Sequence, residues 1–289
     1  MPASINQTIL EFAFRVAGEI GARAVMLYAD AIQDKRSLTG AVCGPELILV
    51  TAREDEARER FCGAGRILTL PEMEMTRIGQ IKTAITKGIA TGLFTKQDRI
   101  VCLTGMPKFG YIDCLMIIDV GKEFEILDAE NVTGLFEGIK PEVFESVLNI
   151  ALELGVQGRE GHSVGTVFIL GDHERVLRYS RQMIINPFAG YGDEEKNILN
   201  PALKETIREF SALDGAFIIK DNGVLVTAGS YLSAVPEGKE LLKGLGSRHL
   251  AAAGITAVTK CIAVVVSEST GTVRIFKDGK IFVSIEKPV

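Results

Sequence analysis

The chain has 289 residues, 47% hydrophobic and 24% charged, with 30 glycines, 5 cysteines, 3 histidines and no tryptophan, a balance that excludes collagen-like, disordered and disulfide-scaffold classes. Lys plus Arg total 32 against 37 Asp plus Glu, a formal charge of −5, so no basic footprint marks a nucleic-acid partner. At roughly 100–200 residues per domain, the length predicts two domains, each able to bury its own core.

At the N-terminus Ile9, Ala13, Val16, Ala17 and Ile20 recur at helical spacing among Glu11, Arg15 and Glu19. That predicts an amphipathic helix where a signal peptide would show an unbroken apolar run. From residue 22 to about 125, short β-branched runs alternate with helical stretches. Residues 24–28, 46–51, 66–69, 99–104 and 115–119 read as strands, and 54–61 and 75–90 as helices. Such alternation predicts a mostly parallel sheet covered by helices. Gly63 and Gly65 read as a turn, because neither the third glycine of a dinucleotide loop nor a phosphate-loop lysine follows. The segments ARAVMLYAD, LILVTARED, GRILTLPEM and DRIVCLTGMPKFGYIDCLMIIDVG, in that order, resemble the C-terminal α/β domain of pyruvate kinases. The resemblance implies assembly or effector sensing rather than catalysis.

Residues 126–145, with Gly134, Gly138 and Pro141, read as a connection, which sets the domains at 1–135 and 136–289. A helix follows at 142–155, striped by Val143, Val147, Ile150, Ala151 and Leu154 and ended by Gly155. Then the pattern turns to strands at 164–170, 217–220, 224–227, 274–277 and 280–284, with hairpin signals at Asp221-Asn222-Gly223 and Asp278-Gly279. Helices are expected at 201–212, 239–245 and 247–257. The fold class is therefore α/β: an N-terminal parallel-sheet α/β domain and a C-terminal mixed-sheet α/β domain.

Cys43, Cys62, Cys102, Cys114 and Cys261 form no C-x-x-C pair and read as reduced core residues of a cytoplasmic protein. A histidine metal cluster would need His162, His173 and His249 together, and the first two read as surface turn residues. No run approaches the ~20 apolar residues of a membrane span, so no membrane partner is expected.

Three segments of the second domain put small or polar groups at a strand end or helix start, where backbone N–H groups are free for an anion. They are Asp214-Gly215-Ala216, Gly246-Ser247-Arg248-His249 and Ser267-Glu268-Ser269-Thr270-Gly271. Together they offer a carboxylate for a metal or hydroxyl, a guanidinium for phosphates and a turn that lets backbone approach closely. Singly, each also reads as a turn or a helix cap, Ser247 as the cap of the helix after it.

The stretches LDGAFIIKDNGVLVTAGSYL and GLGSRHLAAAGITAVTKCIAVVVSESTGTVRIFKDGKI, with HSVGTVFILGD and INPFAG upstream, resemble the diadenylate cyclase domain over about residues 155–286. With the front domain, the arrangement is similar to the soluble archaeal type. The resemblance implies an enzyme that joins two ATP molecules into cyclic di-AMP and releases two pyrophosphates, using a divalent metal, manganese first and magnesium as the alternative. It places Asp214 by the metal and the attacking 3′-hydroxyl, with Gly215 and Ala216 letting the ribose lie close. Ser247, Arg248 and His249 would hold the triphosphate, Leu232 would pack on adenine, and Ser267 and Glu268 would lie near phosphates and metal. One nucleotide site per protomer implies at least a dimer, because each 3′-oxygen must meet the α-phosphorus of the other ATP.

Two departures matter. The family's Arg-His-Arg is here Arg248-His249-Leu250, and its Ser-Glu-Glu is Ser267-Glu268-Ser269. In addition, Leu213 stands where some relatives have a histidine before Asp-Gly-Ala. These leave a second reading, a catalytically weak sensor that binds ATP or cyclic di-AMP, and a third, an assembly module whose front domain oligomerises a partner.

Overall fold

The structure, a computed structural model, describes residues 5–33, 44–61, 65–122, 136, 138–234 and 246–288. The chain divides into two compact units, Met1–Phe124 and Glu125–Val289. Cys43, Cys62, Gly63 and the helix expected at 239–245 lie outside the described residues.

In the first unit, β1 (Ala24–Tyr28), β2 (Glu46–Thr51), β3 (Arg66–Thr69), β4 (Arg99–Thr104) and β5 (Cys114–Asp119) form one sheet in the order β3-β2-β1-β4-β5. The first four are parallel, as their alternation with helices predicts, and every residue of β1 is buried. β5 departs from the parallel expectation and runs antiparallel to β4. Its cause is the connection 105–113, which holds only a 3₁₀ turn, Pro107–Phe109, and no crossover helix.

α1 (Ile5–Glu19) lays Leu10, Ala13 and Ala17 on the core around Val25, Leu27, Val101 and Leu103. Its buried Asn6 accepts the Ile112 backbone N–H at 2.9 Å, so the polar group is satisfied. α2 (Glu54–Arg60) opens on three acids and closes on Arg58 and Arg60, matching its dipole. α3 (Arg77–Ala90) is capped by the Thr76 hydroxyl, which accepts the Gly79 N–H at 2.9 Å.

The second unit holds a seven-stranded sheet in the order β12-β11-β10-β6-β8-β9-β7. Its elements are α4 (Pro141–Gln157), β6 (Thr166–Leu170), α5 (His173–Arg178), β7 (Ser180–Gln182), α6 (Leu203–Phe210), β8 (Ala216–Ile219), β9 (Leu225–Leu232), α7 (Ser247–Val258), β10 (Ile262–Val266), β11 (Val273–Lys277) and β12 (Lys280–Ile285). Only β6 and β8 pair in parallel. The others pair antiparallel.

Alternate residues divide the sheet's two faces. Val167, Ile169, Ala216, Ile218, Ala263 and Val265 share one core with Ala252, Ala253 and Ile255 of α7. Phe168 and Phe217, the intervening residues, stack with ring centres 5.0 Å apart. Both hairpins form where Asp-Gly and Asn-Gly predict them, and Asp278 (φ 50°) with Gly279 (φ 78°) takes the left-handed backbone of a tight turn.

Two local expectations are corrected. α4 does not end at Gly155: it continues to Gln157 and closes at Gly158 (φ 61°), and Gly155 is instead the point where the helix touches the backbone of Gly271. After β6, Gly171-Asp172 leads into α5, with Asp172 left-handed (φ 44°) and its carboxylate accepting the Lys260 N–H at 2.8 Å. His173 is accordingly the first residue of α5, whereas His162 stays exposed in a turn. No helix among the described residues is long and apolar enough to cross a membrane.

Candidate functional site

The three motifs meet at one end of the second sheet. Asp214 and Gly215 lead into β8, Gly165 into β6, Ser267 and Glu268 leave β10, Leu232 ends β9, and Ser247 opens α7. The parallel pairing of β6 with β8 and the antiparallel pairing of β6 with β10 bring these chain ends together from positions far apart in sequence.

Arg248 stands at the centre. Its Nη1 donates to Glu268 Oε2 at 2.8 Å and its Nη2 to Asp214 Oδ1 at 3.3 Å. One guanidinium therefore holds the carboxylates of two motifs, while Asp214 (side chain 83% exposed) and Glu268 (58%) remain open to a ligand. Gly165 makes room for this: a Cβ there would sit 2.7 Å from Arg248 Nη1 and 2.8 Å from the Glu268 Cβ. Gly215, at φ 105°, plays the same part for the sheet, since a Cβ would lie 2.7 Å from the Ser230 nitrogen. The glycine of the Asp-Gly-Ala motif thus serves strand approach directly.

Two cavities share this arginine. The first, about 410 Å³, has Asp214, Gly215 and Ala216 on one side and Leu232, Tyr231 and Met183 on the other. Leu232 is at once 6% exposed in the core and a wall of this cavity, so its two readings are one. The second, about 430 Å³, is lined by polar groups, among them Ser163, Ser247, His249, Ser267 and Ser269. Ser247, Arg248 and Glu268 border both.

Ser247 is the first helical residue of α7; the cap position belongs to Gly246, contrary to the expected serine cap, and no side chain closes the helix start. The opening of α7 therefore keeps free N–H groups beside Arg248, a place suited to anions. Ser267 is buried, its N–H on the Thr272 carbonyl and its carbonyl accepting from Gly271, which fixes the loop carrying Glu268.

His249 is 5% exposed and packs edge-on against Phe276, ring centres 6.0 Å apart. Its Nε2 lies 3.1 Å from Arg274 Nη1, and because a guanidinium only donates, Nε2 accepts and the imidazole proton sits on Nδ1. Burial, with the positive charges of Arg274 and Arg248, pushes its pKa down from 6.5 to about 4. His249 is thus a neutral donor on the wall of the second cavity. Leu250, at the missing second arginine, packs against the core and lines neither cavity. Ser269 does line the second, its hydroxyl 3.3 Å from that of Ser267.

Gly165, Ser163, Met183, Tyr231 and Arg274 were not singled out from the sequence. Gly165 lay within the recognisable HSVGTVF stretch; Arg274, 25 residues beyond His249, carries no local signal of its partner.

Two family models match the chain: the nucleotide-binding domain of the DisA bacterial checkpoint controller over residues 153–281, and the probable sensor domain DacZ_P over residues 6–127. A diadenylate cyclase of Methanocaldococcus jannaschii is 38% identical over 202 residues, 70% of this chain and 64% of that protein, just under two thirds of its length. A diadenylate cyclase of Haloferax volcanii is 43% identical over 234 residues, 80% of this chain and 83% of that one. Among solved structures, DacA from Staphylococcus aureus is similar at 25% identity and a TM-score of 0.32, covering 48% of this chain and 84% of that one.

Proposed function

The chain belongs to the diadenylate cyclase family, and from that premise we propose that it condenses two ATP molecules into cyclic di-AMP and two pyrophosphates, at a site completed by two facing protomers. The observation that carries the reading is the convergence of Asp214, Glu268 and the opening of α7 on Arg248, between one cavity walled in part by Leu232, Met183 and Ala216 and one lined chiefly by serines, His249 and Glu268. The first has the shape and lining for a nucleoside, with Leu232 and Ala216 against the base and ribose. The second offers donors to phosphates: Arg248, the Nδ1–H of His249, serine hydroxyls and the amides of α7.

The reaction balances with two bonds formed and two broken. Each 3′-oxygen attacks the α-phosphorus of the ATP facing it, each α–β bridging oxygen leaves with pyrophosphate, and each hydroxyl proton passes to the departing pyrophosphate or to water. Phosphoryl transfer asks of the protein positioning and charge stabilisation, and in-line placement offsets about 7–11 kcal/mol of barrier. Asp214 is positioned to hold the 3′-hydroxyl and accept its hydrogen bond. Arg248 and His249 meet charge on the phosphates.

A divalent metal fits this donor set in one specific manner. Among the described residues no group of three or more His, Cys, Asp or Glu converges. Asp214 and Glu268 are open carboxylates, so a cation here would take most of its ligands from substrate phosphates and water, as magnesium and manganese accept. When bound, it would supply neutralisation of the triphosphate that the single Arg248 leaves incomplete. The two-protomer reading is supported by the apolar rim beside the first cavity, where Met183, Ile184 and Tyr231 are half exposed and Ile185 is 93% exposed.

The test is to incubate the purified chain with ATP and Mn²⁺, Mg²⁺ or neither, and to assay cyclic di-AMP by mass spectrometry beside Asp214→Asn. Metal-dependent product that vanishes in the variant is expected. ATP binding without product under any metal would replace this reading with the sensor.

A further inference from the structure

We propose that the first unit binds a small organic cation, an amine or quaternary ammonium compound with an apolar body, in the cavity at the carboxyl ends of β1, β2, β3 and β4. The cavity measures about 500 Å³, a volume suited to a small-molecule ligand. Its place follows from topology. In the order β3-β2-β1-β4-β5 the sequence direction reverses between β1 and β4, and in open α/β sheets the crevice at that point, outside the strand ends, is where ligands sit. Tyr28 at the end of β1, Asp30 after it and Met106 after β4 line it.

Tyr28 supplies one wall of that cavity. It is 7% exposed, lines the cavity, and its hydroxyl has no hydrogen-bond partner among the described residues. Burial, reinforced by Asp30, raises its pKa well above the ordinary value, so the phenol stays neutral. The hydroxyl opens on the cavity, where a ligand N–H would give it a protein-side partner in place of water.

Charge selects the class. Arg53 is occupied by Glu56 and Glu72, and Arg60 donates to the carbonyl of Ile32 at 2.5 Å. Lys108 projects over the Phe109 ring. Against these, among the described residues Asp30 accepts from the neutral Thr51 hydroxyl and Ala52 N–H, and neither it nor Glu74 has a cation partner there. Among the described residues, these two carboxylates therefore lack a counter-charge, while the two lining arginines, Arg53 and Arg60, are already engaged. Met73, Met75 and Met106 supply a polarizable wall that adapts to an apolar body.

The experiment titrates the full-length protein with phenethylamine and choline, separately, following isotope-labelled methionine methyl signals by NMR. At least one probe should saturate with a dissociation constant at or below about 1 mM. Tyr28→Phe and Glu74→Gln should each weaken that binding at least about fivefold, inorganic phosphate should not displace the probe, and Asp214→Asn should bind it as the parent does. The inference is overturned if neither probe saturates, if both Tyr28→Phe and Glu74→Gln bind unchanged, or if phosphate competes. None of these results depends on cyclase activity.

Discussion

With Asp214 and Glu268 both on one guanidinium, Arg248 does what a point charge cannot: two separate N–H donors reach two carboxylates. Arg248→Lys keeps the charge and loses that fork. We expect it to lower kcat/KM for ATP by at least about 10²-fold, while the circular-dichroism spectrum stays that of the parent. His249 yields a prediction of a different kind. Its folded pKa, about 4, lies below the ordinary 6.5, so across that interval the unfolded chain binds a proton that the folded one refuses. The stability is complete above pH 6.5 and drains away as pH falls toward 4, by up to about 3 kcal/mol. Urea midpoints measured between those limits should fall steeply in the parent and less steeply in His249→Asn.

Among the elements, β6 and the loop after β10 depend on Gly165, which leaves no room for a side chain beside Arg248 and Glu268. Gly165→Ala should displace the guanidinium, cutting activity at least about tenfold, with about 1–3 kcal/mol lost from overpacking; initial rates and urea denaturation report the two effects separately. At this scale the sequence was most informative where local chemistry decides. Asp-Gly and Asn-Gly turns and the apolar stripe of α4 are legible from neighbouring residues, whereas the strand β10 is not read as one. What escaped it is set by distant partners. The antiparallel β5 follows from a connection too short for a crossover, α4 runs past Gly155 because that glycine serves a contact with Gly271, and β7 is a short edge strand paired to β9 through Arg181 and Tyr231. The same holds of the site. Its three motifs were visible as segments, but that a single arginine joins two of them, and that Arg274 fixes the tautomer of His249, needed the fold.

For the whole molecule, a reaction between two ATP molecules held by facing protomers has a kinetic signature. Specific activity should fall as the protein is diluted below its self-association constant, with the rate approaching second order in protein, and sedimentation velocity should show the loss of dimer over the same range. A strictly monomeric sample with undiminished specific activity would sink the two-protomer reading. The formal charge of −5 also predicts that polyanions other than the substrate gain little affinity from the protein's overall field.

Where α4 crosses the loop after β10, Gly155 and Gly271 face each other backbone to backbone, and a side chain on either would collide with the other's carbonyl. Mutation by single steps is therefore blocked at both positions at once. A lineage that lost one glycine would find no neighbouring change at the other to restore the fit, since enlarging either only worsens the clash. The crossing is a point of no easy return, and through residues 267–271 it binds the history of a buried helix to that of the loop carrying Glu268.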